Sequence, residues 1–101
     1  MVKVRVPTAM RPLTDGTPEV TIEGATVRDI IDGLESGYPG FRERLLSDEG
    51  TQRRFVNIYV DEDDVRFRQG LDTPTPSGVT LWLVPAVAGG SINRRTDGGR
   101  S

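Results

Sequence analysis

The stretch that most constrains the fold is VTLWLVPAVAGG, residues 79–90. Three aliphatic side chains alternate with Thr80, Trp82 and Val84, which is the period-two pattern of a strand with one face in a core. Pro85 has no N–H to donate and is expected to end the strand. The next five residues, AVAGG, offer little side chain to pack and, when extended, span at most about 17 Å. The fold must therefore bury one face of a strand that continues into a slim arm, or into a plain flexible linker, since glycine pairs are common in loops.

The absence of two residue types limits the chemistry of the chain. With no Cys and no His in 101 residues, the sequence excludes disulfides, thiolate catalysis, Cys-based metal sites and the usual general base. A self-sufficient enzyme would have to work with carboxylates alone, so we expect a protein that is not an enzyme. The length of 101 residues predicts one domain. No apolar run approaches about 18 residues, so neither a membrane span nor a signal peptide is predicted, and a cytoplasmic location is expected.

Charge is distributed unevenly along the sequence. Residues 1–90 carry ten basic and fourteen acidic side chains, a net charge of −4, whereas residues 91–101 carry a net charge of +2. An acidic body does not favour nucleic-acid binding, and three arginines in the last stretch are too few to reverse that.

The first part of the sequence predicts two strands and a helical region. Alternating apolar residues mark strands at Met1–Val6 and Glu19–Glu23, and the broken stretch Pro7–Thr17 between them predicts an antiparallel hairpin with a loop. Thr26 with Asp29 is close to a capping box and begins a helix that Gly37 and Pro39 end. The helix has four apolar residues on one face: Val27, Ile30, Ile31 and Leu34. Phe41–Leu46 predicts a second, shorter helix.

The second part of the sequence returns to strands. Arg53–Val60 alternates, with Val56, Ile58 and Val60 expected inward and Phe55, Asn57 and Tyr59 outward. A short strand is predicted at Val65–Phe67. Gly70–Gly78 is a turn-rich crossing in which Leu71 is the expected anchor, and Val79–Val84 is the last strand.

The four adjacent carboxylates of Asp61–Asp64 admit two interpretations. One is a divalent-metal site, which carboxylate oxygens suit. The other, which we favour, is a solvated turn between two strands, because the run is too short to surround an ion and lacks spaced ligands. We predict no metal site there.

The order of these elements predicts an α+β fold, with a mixed five-stranded sheet and one main helix on one face. In ubiquitin-like folds the last strand pairs with the first. Here that pairing would be parallel and central.

Several segments in this order carry a resemblance to a known family. They are VPT at residues 6–8 with RP at 11–12, RRFVNIYV at 53–60, DDVRF at 63–67, Leu71 with Thr73, and LVPAVAGG at 83–90. Over nearly all of residues 1–90 the chain resembles the ubiquitin-like sulfur carriers of the MoaD/ThiS family, in the β-grasp superfamily. Within that family it is most similar to carriers of an actinobacterial cysteine-biosynthesis pathway.

The resemblance implies a carrier cycle centred on Gly90. An ATP-dependent activating enzyme would adenylate the Gly90 carboxylate, and sulfur transfer would convert it to a thiocarboxylate. An acceptor such as a pyridoxal-phosphate-dependent cysteine synthase would then use the sulfur. The arm that enters the partner's active site would consist of Ala86, Val87, Ala88 and Gly89. The carrier itself would bind no cofactor, the ATP being used by its partner.

The sequence departs from the family after Gly90, because carriers end at the second glycine and Ser91–Ser101 follows here. We expect a β-grasp domain at residues 1–85, a flexible arm at 86–90 and a disordered extension at 91–101. The extension would be removed by a protease of the zinc metalloprotease type. Gly98-Gly99 is a rival terminus, and a third interpretation is that the extension is no part of the working protein.

A docking surface is expected on the sheet face away from the helix. It would consist of Trp82, Val84, Tyr59 and Phe55, unless loops or side-chain stems cover them. The alternative function is a protein modifier, which would join the same Gly90 to a target lysine, or a plain β-grasp interaction module. Because Lys3 is the only lysine, extended chains of varied linkage are not expected. A monomer is the plain expectation for the oligomeric state.

Overall fold

The last strand, Thr80–Pro85, lies at the centre of a five-stranded sheet in the computed structural model, which describes residues 1–85. The strands are β1 (Val2–Arg5), β2 (Glu19–Ile22), β3 (Val56–Val60), β4 (Asp63–Asp64) and β5 (Thr80–Pro85). Their order across the sheet is β2-β1-β5-β3-β4. β5 is parallel to β1 and antiparallel to β3, which confirms the predicted mixed sheet and its central parallel pair.

Two helices connect β2 to β3, namely α1 (Val27–Gly37) and α2 (Phe41–Leu45). The Thr26 side chain accepts a hydrogen bond from the Asp29 N–H, and the Asp29 carboxylate accepts one from the Ala25 N–H, so the predicted cap forms. The four apolar residues of α1 named above are 0% exposed. They pack in one core with the inward residues of the sheet, including Val4, Ile58 and Leu81.

The close approach of α1 to β2 depends on Gly33. A Cβ placed on this residue would lie 2.6 Å from Cγ2 of Ile22, well inside van der Waals contact. Glycine therefore lets the helix backbone lie directly against the sheet.

Several predicted elements differ in detail from the structure. Strand β3 begins at Val56 rather than Arg53, and β5 begins at Thr80 rather than Val79. The fourth strand is Asp63–Asp64, and Val65–Phe67 forms a 3-10 turn because the Asp64 carboxylate accepts a hydrogen bond from the Arg66 N–H and caps it. The connection after β1 is ordered as a 3-10 helix at Thr8–Thr14. Pro85 belongs to β5 as the partner of Val56, so the strand ends one residue later than predicted.

Candidate functional site

Pairing with its two neighbouring strands fixes the position of the carboxyl end of β5. β5 pairs with β1 over Thr80–Trp82 and with β3 up to its last residue, Pro85, so the sheet fixes where the strand ends. The predicted arm Ala86–Gly89, the predicted reactive Gly90 and the extension 91–101 lie outside the described residues. The structure therefore places Pro85, the residue before the predicted arm, and the arm itself stays a prediction.

The face of the sheet away from α1 carries three of the four predicted docking residues. Trp82 and Val84 keep 43% and 39% of their surface exposed. Tyr59, half-buried, lies opposite Trp82 on β3, and Asn57 lies opposite Val84. Directly opposed residues on one face are neighbours, so Trp82 and Tyr59 lie side by side on this face.

Arg5 gives this face a feature that the sequence patterns did not reveal. It pairs with Trp82 in the parallel register, and its guanidinium carbon lies 5.5 Å from the centroid of the indole ring. The same guanidinium donates to the Glu19 carboxylate at 3.0 Å. The guanidinium group of Arg5 thus lies over the Trp82 ring, and 43% of the Trp82 surface stays exposed.

Phe55, the fourth predicted docking residue, lies in the turn before β3 and not within the strand. Its side chain is 57% exposed. Arg66 holds this turn by donating to the backbone oxygens of Arg53 at 2.8 Å and Val56 at 2.9 Å, and to the Asn57 side chain. Because Val56 pairs with Pro85, the turn lies beside the end of β5.

Three carboxylates of the acidic turn Asp61–Asp64 are engaged in local hydrogen bonds or an ion pair. Asp61 adopts a left-handed conformation with φ 56°, and its carboxylate accepts from the Thr80 N–H at 3.0 Å. Asp64 caps the following 3-10 turn, and Asp63 pairs with Arg68 at 2.9 Å. Within residues 1–85 no group of three acidic side chains is arranged to hold a metal ion.

Glu35 ties the two helices together. Its Oε1 accepts hydrogen bonds from the N–H groups of Arg42 at 2.9 Å and Gly40 at 3.0 Å. These bonds favour the ionised form and lower the pKa of the Glu35 carboxyl below its usual value. The group has a structural role, since it holds the corner between α1 and α2.

None of the helices described is long and apolar enough to cross a lipid bilayer.

Known proteins match this chain over nearly all the residues that the structure describes and over the next five residues, up to Gly90. The ThiS family matches residues 4–90. The sulfur carrier protein CysO of Mycobacterium tuberculosis is 46% identical over 91 residues, covering 88% of this chain and 98% of the relative. A chain in the crystal structure of the Amycolatopsis orientalis BexX/CysO complex is 46% identical, with a TM-score of 0.84 over 89% of this chain and 100% of that chain. Small archaeal modifier protein 3 of Haloferax volcanii is 34% identical over 68 residues, covering 67% of this chain and 73% of the relative. The structural match confirms the β-grasp fold.

Proposed function

Because this chain belongs to the ThiS family, we propose that it is a sulfur carrier that transports sulfur as a thiocarboxylate on Gly90. The observation that carries the proposal is the extent of the family match, which runs from residue 4 to residue 90. It includes nearly the whole sheet and ends on the second glycine of the arm. The chain supplies an acyl group and no catalytic machinery.

The proposed chemistry has two steps, both on partner enzymes. A Gly90 carboxylate oxygen attacks the α-phosphorus of ATP, which forms an acyl-adenylate and releases pyrophosphate. A hydrosulfide-equivalent sulfur then attacks the acyl carbon, and AMP leaves with the carboxylate oxygen. The product is a thiocarboxylate, whose sulfur a second enzyme transfers to its own substrate.

The sequence of the arm suits this chemistry. Glycine has no Cβ, so a partner's active site can enclose the backbone at Gly89 and Gly90 closely. Strand β5, paired with β3 up to Pro85, would hold the base of the arm while its tip reacts. We propose that the activating enzyme docks on the face formed by Trp82, Tyr59 and Val84.

We also propose which enzyme receives the sulfur. The similarity to CysO of Mycobacterium tuberculosis favours cysteine biosynthesis, with a pyridoxal-phosphate-dependent synthase as acceptor. The relative found in the BexX/CysO complex supports the use of partner enzymes by such carriers. Because ATP is consumed by the activating partner, we place the cycle in the cytoplasm, and we expect the carrier to act as a monomer.

Gly90 must have a free carboxylate for this cycle, and in this sequence Ser91 follows it. We propose that a protease of the zinc metalloprotease type cleaves the Gly90–Ser91 bond. Intact mass of the protein from its native host tests this step. Chains ending at Gly90 are expected, and a population consisting only of uncleaved chain would contradict processing.

The test of function compares three versions of the protein, ending at Gly90, at Gly99 and at Ser101. Each is incubated with ATP, sulfide and the host's activating enzyme, and its intact mass is measured. Only the version ending at Gly90 is expected to gain the mass difference between a sulfur and an oxygen atom. A gain by the version ending at Gly99 alone would move the functional terminus there. A gain by none of the three would overturn the carrier proposal.

A second candidate is protein modification, favoured by the similarity to small archaeal modifier protein 3. A modifier would form an isopeptide bond between Gly90 and a lysine of a target protein. Arg68 is the last basic residue before Gly90, so trypsin would leave residues 69–90 attached to each modified lysine. Mass spectrometry of trypsin-digested host proteins separates the two functions, because a carrier leaves no such branched peptide.

A further inference from the structure

The two ends of β3 differ in charge. The acidic turn Asp61–Asp64 follows the strand, whereas Arg53, Arg54 and the exposed Phe55 precede it. We call these three residues the basic corner. The five residues of β3 separate the two ends by about 13 Å. Exposed charges farther apart than about 8 Å are largely screened at physiological salt, so the acidic turn does not cancel the corner.

The positive charge of the basic corner is not used in ion pairs within residues 1–85. The ion pairs of that part of the chain engage other arginines, namely Arg5, Arg28, Arg42 and Arg68. Arg53 donates from Nε to the backbone oxygen of Glu43 at 2.8 Å, and Arg66 behind the corner donates to two backbone oxygens and an amide. Arg54 is exposed and makes no side-chain hydrogen bond to the described residues.

The basic corner also lies where a partner must come close. It immediately precedes Val56, the register partner of Pro85, and so borders the base of the arm. An enzyme that encloses Gly90 must bring the rim of its active-site entrance close to the carboxyl end of β5, where the basic corner lies. Positive charge beside an exposed phenylalanine suits a rim that combines acidic side chains with an apolar contact.

We propose that the basic corner docks on an acidic rim around the active-site entrance of the activating enzyme. This inference rests on the proposed function. The exposed Phe55 selects a protein rim over the phosphates of ATP as the binding partner, because a phosphate group offers no apolar contact. Five residues lead from Pro85 to Gly90, so the base of the arm lies within about 17 Å of the reacting centre and beside the entrance of the enzyme's active site. Arg54 steers the encounter and Phe55 is the apolar contact.

The test measures the dissociation constant between the version ending at Gly90 and the host's activating enzyme, without ATP, at low and at high salt. Arg54→Gln is compared with Arg28→Gln, which removes the same charge from α1. Phe55→Ser is compared with Phe67→Ser, because Phe67 is 86% exposed and lies beyond the acidic turn. Arg54→Gln and Phe55→Ser are each expected to weaken binding by about three- to tenfold, and Arg54→Gln also to reduce the salt dependence.

The controls are expected to bind like the parent protein. Equal effects of test and control variants, or no effect of Arg54→Gln and Phe55→Ser, would overturn the proposed docking. Failure of the carrier function has a different signature, because the parent would then bind without gaining sulfur in the mass measurement. Circular dichroism of each variant excludes unfolding as the cause of weaker binding.

Discussion

The two faces of β5 differ sharply although neighbouring residues form them. Leu81 and Leu83 are 0% and 3% exposed and lie in the core under α1, whereas Trp82 and Val84 keep roughly two-fifths of their surface. The inner face has the close packing that stabilises a small domain. The outer face is available to a partner. In the proposed function one strand therefore combines stability and recognition, and substitutions one residue apart should separate the two properties.

The largest effect on stability is expected from the inner face. Leu81→Ala removes a fully buried side chain and leaves a cavity, so the free energy of unfolding should fall by about 2–5 kcal/mol. Urea unfolding followed by circular dichroism measures this loss. A loss below about 1 kcal/mol would show that the two faces do not differ as described.

On the outer face, Trp82→Ala should reduce the stability of the fold only slightly and the affinity for the activating enzyme strongly. It removes the cation–π contact with Arg5 and the cross-strand neighbour of Tyr59, which together should contribute about 1 kcal/mol to stability. Binding to the activating enzyme should weaken by about 2 kcal/mol or more, as for an aromatic hot spot. Calorimetric titration measures the binding. Destabilisation as large as that of Leu81→Ala would assign Trp82 to the core.

Gly33→Ala tests how closely α1 lies on β2, on the same side of the sheet as the inner face of β5. The added methyl group would lie 2.6 Å from Cγ2 of Ile22, a branched group that cannot swing away freely. Overpacking should lower the free energy of unfolding by about 1–3 kcal/mol, which exceeds the gain of about 1 kcal/mol from the better helix propensity of alanine.

Gly37→Ala is the matched control for Gly33→Ala, because it lies in the same helix and its Cβ would meet no atom within 4 Å. Thermal unfolding should show a lower Tm for Gly33→Ala and an unchanged or higher Tm for Gly37→Ala. Equal melting temperatures would mean that α1 has more room than described.

The smallest effect concerns the corner between the helices, away from both faces of β5. The pKa of Glu35 is lower in the folded protein than in the unfolded chain, so its ionised form stabilises the fold above the unfolded value. That contribution is lost as the pH falls through the folded pKa. Glu35→Gln should therefore flatten the acid side of the stability profile, measured by urea unfolding between about pH 3 and pH 6. Glu43→Gln on α2 is the control, and an equally flattened profile there would contradict the assignment.

Strand positions and their inward residues could be predicted from the sequence because each strand buries only one face. Alternation alone places Val56, Ile58 and Val60 in the core, and the structure confirms it. The same rule misled at Val65–Phe67, where apolar residues flank an arginine. There the Asp64 cap and the bond from the Arg68 N–H to the Val65 oxygen form a 3-10 turn that leaves Phe67 exposed. These local hydrogen bonds, and not periodicity, decide the structure of the segment.

The candidate site could be predicted only in part. The exposure of Trp82 followed from its place in the alternation. The position of Arg5 over its ring depends on the register between β1 and β5, two strands far apart in sequence, which no local pattern reveals. The hydrogen bond from Arg66 to the backbone oxygen of Arg53 also joins residues that are distant in sequence, so local patterns do not reveal it either. Gly90 was predicted from the resemblance, and the family match through residue 90 supports it without testing its chemistry.

The central place of β5 also has a mechanical consequence. A force applied to the chain beyond Pro85 acts along the axis of a strand that has a neighbour on both sides. Such a load shears the ladders with β1 and β3 together and cannot open them one bond at a time. An edge strand such as β2 would peel away under a smaller pull. The domain should therefore resist extraction by its C-terminal side, and a partner that grips the arm can pull on it without unfolding the protein that carries it.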